Sequence, residues 1–170
     1  MFFKRTKRIP DPVLGVLDLG VESIRESAAQ DLDGLAPLFS ETRHGAGSAP
    51  ICDVLLTYCE ITVAGEVKGS RQTFREIVRD SKASVAIIAR EHSVDAYIAG
   101  VPILQFGRTN LIMTLKRNDP AFRALLARIF TEMKKGIPLP AAWKLAQPEP
   151  QVVLVPELIF SNEIDPVAFG

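Results

Sequence analysis

The stretch Cys52-Asp53-Val54-Leu55-Leu56-Thr57-Tyr58-Cys59-Glu60-Ile61 is apolar through its middle and releases polar residues only at its ends. A strand with one face in water alternates apolar and polar residues. A nearly continuous apolar run marks a strand covered on both faces, as in a parallel sheet. Residues 13–19, 84–89 and 110–115 have the same character. A fifth run, 151–160, contains Pro156, which removes a ladder donor and restricts it to an edge strand or an irregular extension.

Helical spacing fills the gaps between these runs. Val21, Ile24, Ala28, Leu32 and Leu35 keep a helical repeat over residues 21–39, whose end is blurred by Gly34 and Pro37. Ser70 reads as the N-cap of a helix through Phe74, Ile77 and Val78 that stops near Asp80 and Ser81. A short helix is expected over 93–99, closed by Gly100 and Pro102. The clearest one follows Asp119-Pro120, with Phe122, Leu125, Leu126, Ile129, Phe130 and Met133 on one face. Lys134 and Lys135 suit the negative end of its dipole, and Gly136 can end it. Another short helix starts at Pro140 and runs through Trp143 and Leu145, whereas 45–50 and 147–150 read as loops. This alternation predicts a single three-layer α/β/α sandwich over residues 1–170, with a mainly parallel sheet of about five strands. A basic tail (1–11) precedes it, and a Pro-containing extension (147–170) follows.

A chain of 170 residues suits one sizeable core. Its 20 Lys and Arg balance 20 Asp and Glu, so no global basic field argues for nucleic acid or an anionic membrane as partner. No apolar run approaches the roughly 20 residues needed to cross a bilayer. The cluster Lys4-Arg5-Thr6-Lys7-Arg8 lacks the apolar run of a secretory signal and reads as a frayed, solvated end. On one extended strand Cys52 and Cys59 would stand about 23 Å apart, beyond the reach of a disulfide. Free thiols fit a reducing, cytoplasmic setting.

Ligands of open α/β sheets bind outside the carboxyl ends of the strands. Those ends carry Asp18, Cys59-Glu60, Glu91-His92 and Lys116-Arg117-Asn118. Cys59 is the candidate nucleophile, because a thiol beside an imidazole loses its proton readily. His92 or His44 would serve as base, with Glu60 or Glu91 as orienter. His44 lies in Arg43-His44-Gly45-Ala46-Gly47, read as a loop whose amides would help to bind an oxyanion. The plainer reading makes Cys59 a small core hydrophobe and His44 a solvated loop residue. Asp18 with Glu60 or Asp95 is an alternative set for Mg²⁺, although Asp at strand ends commonly serves capping and turns. The loops hold no Walker-type glycine-lysine motif and no Gly-x-Gly-x-x-Gly. Two Cys and two His also lack the paired spacing of a zinc site. No cofactor and no resident metal are therefore expected.

Residues 52–60 also resemble the strand that bears the catalytic Cys of CHAT domains, the caspase-related peptidases. In that family an apolar strand leads into Cys-Glu-Thr and a glycine; here Ile61-Thr62 replaces the Thr and glycine arrives at Gly65. Residues 83–89 resemble the family's next strand. Phe130, Lys135-Gly136 and Ala141-Ala142-Trp143-Lys144-Leu145-Ala146-Gln147 resemble its closing helical pair. The likeness implies a cysteine hydrolase, peptidase-like, with Cys59 as nucleophile. The family sets its catalytic His, followed by Gly, at a strand end well before the Cys. His44-Gly45 has that dipeptide and order, but only 14 residues separate it from Cys59, and polar Ser40-Glu41-Thr42-Arg43 offers no obvious strand. Two other functions fit the same fold. One is a non-catalytic interaction module, subunit or adaptor of caspase-like or flavodoxin-like fold. Its apolar 152–160 segment and terminal Val167-Ala168-Phe169 would reach a protein or peptide partner or a second copy. The other is a small-molecule or nucleotide-binding protein.

Overall fold

In a computed structural model of the chain the described residues are 6–19, 22–100, 109–146, 152–154 and 167–170. The elements run β1 (Lys7–Ile9), β2 (Val13–Asp18), α1 (Glu22–Leu35) with a 3₁₀ turn (Ala36–Leu38), β3 (Glu41–Gly45) and β4 (Val54–Tyr58). There follow α2 (Phe74–Ser81), β5 (Val85–Ile88), α3 (Val94–Gly100), β6 (Asn110–Thr114), α4 (Asp119–Lys134) and α5 (Leu139–Leu145). Two short strands complete the chain, β7 (Val152–Leu154) and β8 (Val167–Phe169).

The main sheet has the order β3-β2-β4-β5-β6-β7. Its first five strands are parallel and β7 joins antiparallel to β6. Counted from the first parallel strand the order is 2-1-3-4-5, a doubly wound arrangement whose chain reverses direction between β2 and β4. The expected α/β sandwich with a mainly parallel sheet is the fold.

The side-chain alternation of β4 divides the core. Val54, Leu56 and Tyr58 pack with Leu125, Leu126, Ile129 and Phe130 of α4 on one face. Leu55 and Cys59 pack with Phe74, Ile77 and Val78 of α2 on the other. Both faces are sealed, which is why this stretch is apolar at consecutive positions. Each fully buried Leu, Ile or Phe stabilises the fold by roughly 1.5–3 kcal/mol.

Several elements differ from the expectation. Polar residues 41–45 form a strand, β3, at the sheet's edge, with mostly exposed side chains and β2 as its neighbouring strand. An edge strand covered on neither face needs no apolar residues, so its sequence carries no hydrophobic signal. His44 is therefore a strand residue and not part of a glycine-rich loop. The N-cap of α2 is Thr73, not Ser70. Thr73 and Glu76 form a reciprocal capping box, and the Ser70 hydroxyl instead accepts from the Gln72 amide at 3.0 Å. Residues 7–9 of the basic tail pair in parallel with β8. Val167-Ala168-Phe169 thus packs inside this chain, with Phe169 at 1% exposure against Phe39 and Phe130. The 147–150 loop, Pro102, Val21 and most of the 151–160 run lie outside the described residues. Among the described residues no helix is long and apolar enough to cross a membrane.

Candidate functional site at the carboxyl edge

Cys59 leaves β4 on the face packed by α2 and is fully buried. Burial pushes its thiol up to about 12. A hydrogen bond with Thr57 and the positive charge of Arg90 pull the other way and are outweighed. At neutral pH the sulfur is a protonated thiol rather than a nucleophilic thiolate. Cys52 is likewise buried, unpaired and pushed up to about 12 by burial.

Among the described residues no hydrogen bond joins Cys59 to an imidazole. His92 has another task. Its Nε2 accepts from the Ile61 amide at 3.0 Å, which assigns the ring proton to Nδ1, 3.0 Å from the Arg90 carbonyl that accepts it. The Tyr97 hydroxyl stands 3.4 Å from Nδ1 and donates to the Thr114 carbonyl at 2.9 Å. Burial is the largest influence on this ring and lowers its pKa, so the imidazole is neutral with both nitrogens engaged. It latches the ends of β4, β5 and β6 together.

His44 is exposed and level with Val16 of β2, which is in turn level with Leu56 of β4. Two strand spacings separate it from β4, about 10 Å, and Cys59 lies three residues farther along. In-register neighbours point to one face, and the Leu56 face is opposite that of Cys59. The Glu60 carboxylate is shared between Lys68, at 3.3 Å, and Arg90, at 3.6 Å. Glu91 accepts from the Arg117 amide at 2.8 Å. Asp18 pairs with Arg25 at 3.6 Å, and Asp95 lies in the first turn of α3. Among the described residues no three His, Cys, Asp or Glu come together as a metal site.

The carboxyl edge is organised instead by a buried charge that the sequence reading passed over. Asp31 lies in the middle of α1 and is fully buried. It accepts from the Tyr58 hydroxyl and the Arg117 guanidinium, both at 2.6 Å, and from Arg123 at 3.3 Å. Arg117 also donates to the Ala89 carbonyl at 2.9 Å and to Asp119, and its plane lies over the Phe122 ring at 4.4 Å. Desolvation opposes its charge, but these carboxylate partners prevail and raise its pKa. A signal was present: Asp31 sits three residues after Ala28 and four before Leu35, on the apolar stripe of its own helix.

Above this network opens a cleft of about 310 Å³. Ile24, Tyr58 and Ala89 supply its apolar surface, and Arg90, Glu91, Arg117 and Asp119 its charges. Across the end of β4 lies a wider, polar hollow of about 620 Å³ that includes Glu60, Lys68 and Arg71. The Glu60–Arg90 pair stands between the two. Compared with known proteins, the chain matches no family model and no curated sequence.

Proposed function

We propose that this domain is a non-catalytic binding module that takes a small polar ligand with charges of both signs in the carboxyl-edge cleft. The observation that supports it is the make-up of that cleft, in which two arginines and two carboxylates converge on an apolar surface of Ile24, Tyr58 and Ala89. Arg117 is held by Asp31, Asp119 and the Ala89 carbonyl before any ligand arrives, so little ordering is lost on binding. Among the described residues the Arg90 guanidinium is held more loosely, 3.6 Å from Glu60, and is the cation available to a ligand carboxylate or phosphate. Glu91 and Asp119 would receive an ammonium or hydroxyl group. On this reading the CHAT-like strand is the frame, and Cys59 is one of its core residues.

The test is thermal unfolding and amide NMR with a panel of amino acids and other small zwitterions. At least one compound should raise the melting temperature and shift residues 89–91 and 117–119, and Arg90→Ala should abolish the response. A panel that stabilises nothing would sink the reading. A cysteine hydrolase would instead need Cys59 uncovered and an imidazole brought to its sulfur, so fast selective labelling of Cys59 would favour that alternative.

A further inference from the structure

The amino edge of the sheet holds a separate pocket of about 270 Å³. Its polar lining is Lys7 of β1, Arg79 and Lys82 at the end of α2, Ser84 before β5 and Thr109 before β6. Three cations and no carboxylate face it among the described residues. The Lys7 ammonium is fixed 2.6 Å from the Ser84 hydroxyl. Ser84 is 5% exposed, and its hydroxyl oxygen accepts from Lys7. Arg79 is tied to Asp80 at 2.8 Å and contributes mainly to the field at the rim.

Lys82 reaches the same pocket from an unusual backbone position. It caps α2 at φ 59°, ψ 17°, and among the described residues it is the only non-glycine with a positive φ. Glycine occupies such a C-terminal position without strain, whereas a β-carbon there is crowded. Glycine would fold there at least as well as lysine. The carboxyl end of α2 brings about half a negative charge to the same place. Lys82 offsets that, and with Arg79 paired to Asp80 the Lys7 ammonium remains, among the described residues, as the uncompensated cation.

We propose that this pocket is an oxyanion site that takes a phosphate group. The Lys7 and Lys82 ammonium groups neutralise the dianion, and the Ser84 hydroxyl donates to one of its oxygens. The site is distinct from the carboxyl-edge cleft and does not depend on the function proposed for it.

The experiment titrates the full chain with inorganic phosphate at constant ionic strength, followed by amide NMR, with glycerol 3-phosphate in a second arm. Saturable shifts at residues 79–84 and 109 are expected. Tighter binding of the ester would identify an organic phosphate as ligand, and equal binding would identify the free ion. Lys82→Gly suits the left-handed backbone and should fold as well as the parent or better, while weakening phosphate roughly tenfold. Ser84→Ala should weaken it too, with all three cations retained. Absence of saturable binding overturns the proposal. So does unchanged affinity in both variants, or loss of binding in Arg90→Ala in their place.

Discussion

The Tyr58 hydroxyl donates to the Asp31 carboxylate over 2.6 Å, tying the end of the central strand to the middle of α1. Arg117 reaches the same carboxylate from the segment between β6 and α4. Three segments distant in sequence are thus held by one buried anion, and its removal has a foreseeable cost. Asp31→Ala leaves the Arg117 guanidinium buried without its main counter-charge, and should lower stability by about 3–5 kcal/mol. Asp31→Asn keeps the shape and should cost less. Urea unfolding of both variants checks this, and a loss under about 1 kcal/mol for the alanine variant would contradict the role given to Asp31.

His92 predicts a pH dependence. Its folded pKa is lowered from 6.5, principally by burial, so below pH 6.5 the unfolded chain takes up a proton that the folded chain resists. Stability is fully present above 6.5 and is lost as the pH falls from there toward the folded value. His92→Gln should flatten this slope between about pH 7 and pH 5, a window above the usual carboxylate range. Unfolding midpoints across that interval decide; parallel slopes for parent and variant would refute the assignment.

Both thiols are pushed up to about 12 by burial, and both should resist modification. A disulfide reagent at pH 7.5 should label Cys52 and Cys59 slowly and at comparable rates, and denaturant should make both fast. Mass spectrometry of the two peptides reads the result. Cys59 reacting far ahead of Cys52 would reopen the cysteine-hydrolase reading.

Gly15 has no room for a side chain. A β-carbon there would stand 2.5 Å from the Cys52 sulfur and 2.8 Å from its β-carbon. Gly15→Ala should cost about 1–3 kcal/mol through overpacking. Adding Cys52→Gly removes both atoms and should recover part of that loss, so a double-mutant cycle should show coupling. Additive effects would mean that the clash is relieved elsewhere.

The sheet's interior was legible because burial on two faces leaves a one-dimensional trace. Residues 13–19, 84–89 and 110–115 became β2, β5 and β6 to within a residue or two at each end. The α4 helix was equally plain, its apolar face matching Phe122 through Met133. What escaped was whatever draws its order from partners remote in sequence. β3 is polar because its side chains meet water, and β1 is a strand only because residues 167–169 lie beside it. At the carboxyl edge the Glu60–Arg90 and His92–Ile61 contacts join the segments that follow β4 and β5. The sequence left Cys59 open between nucleophile and small core hydrophobe and was silent on the latch that occupies the imidazole, since both depend on how α2 and α3 cover the strand.

The pairing of Lys7–Ile9 with Val167–Phe169 has a consequence for biosynthesis. The Phe169 ring that completes the aromatic group with Phe39 and Phe130 leaves the ribosome about 130 residues after its first partner. Until then the floor under α4 is open, and the nascent chain exposes apolar surface that a chaperone would recognise. Closing so long a loop costs only slightly more entropy than closing one half its length, because that cost grows with the logarithm of loop size. The delay is therefore one of timing and not of stability. Translation halted before residue 167 should leave a protease-sensitive intermediate, which Val167–Phe169 converts to the closed form.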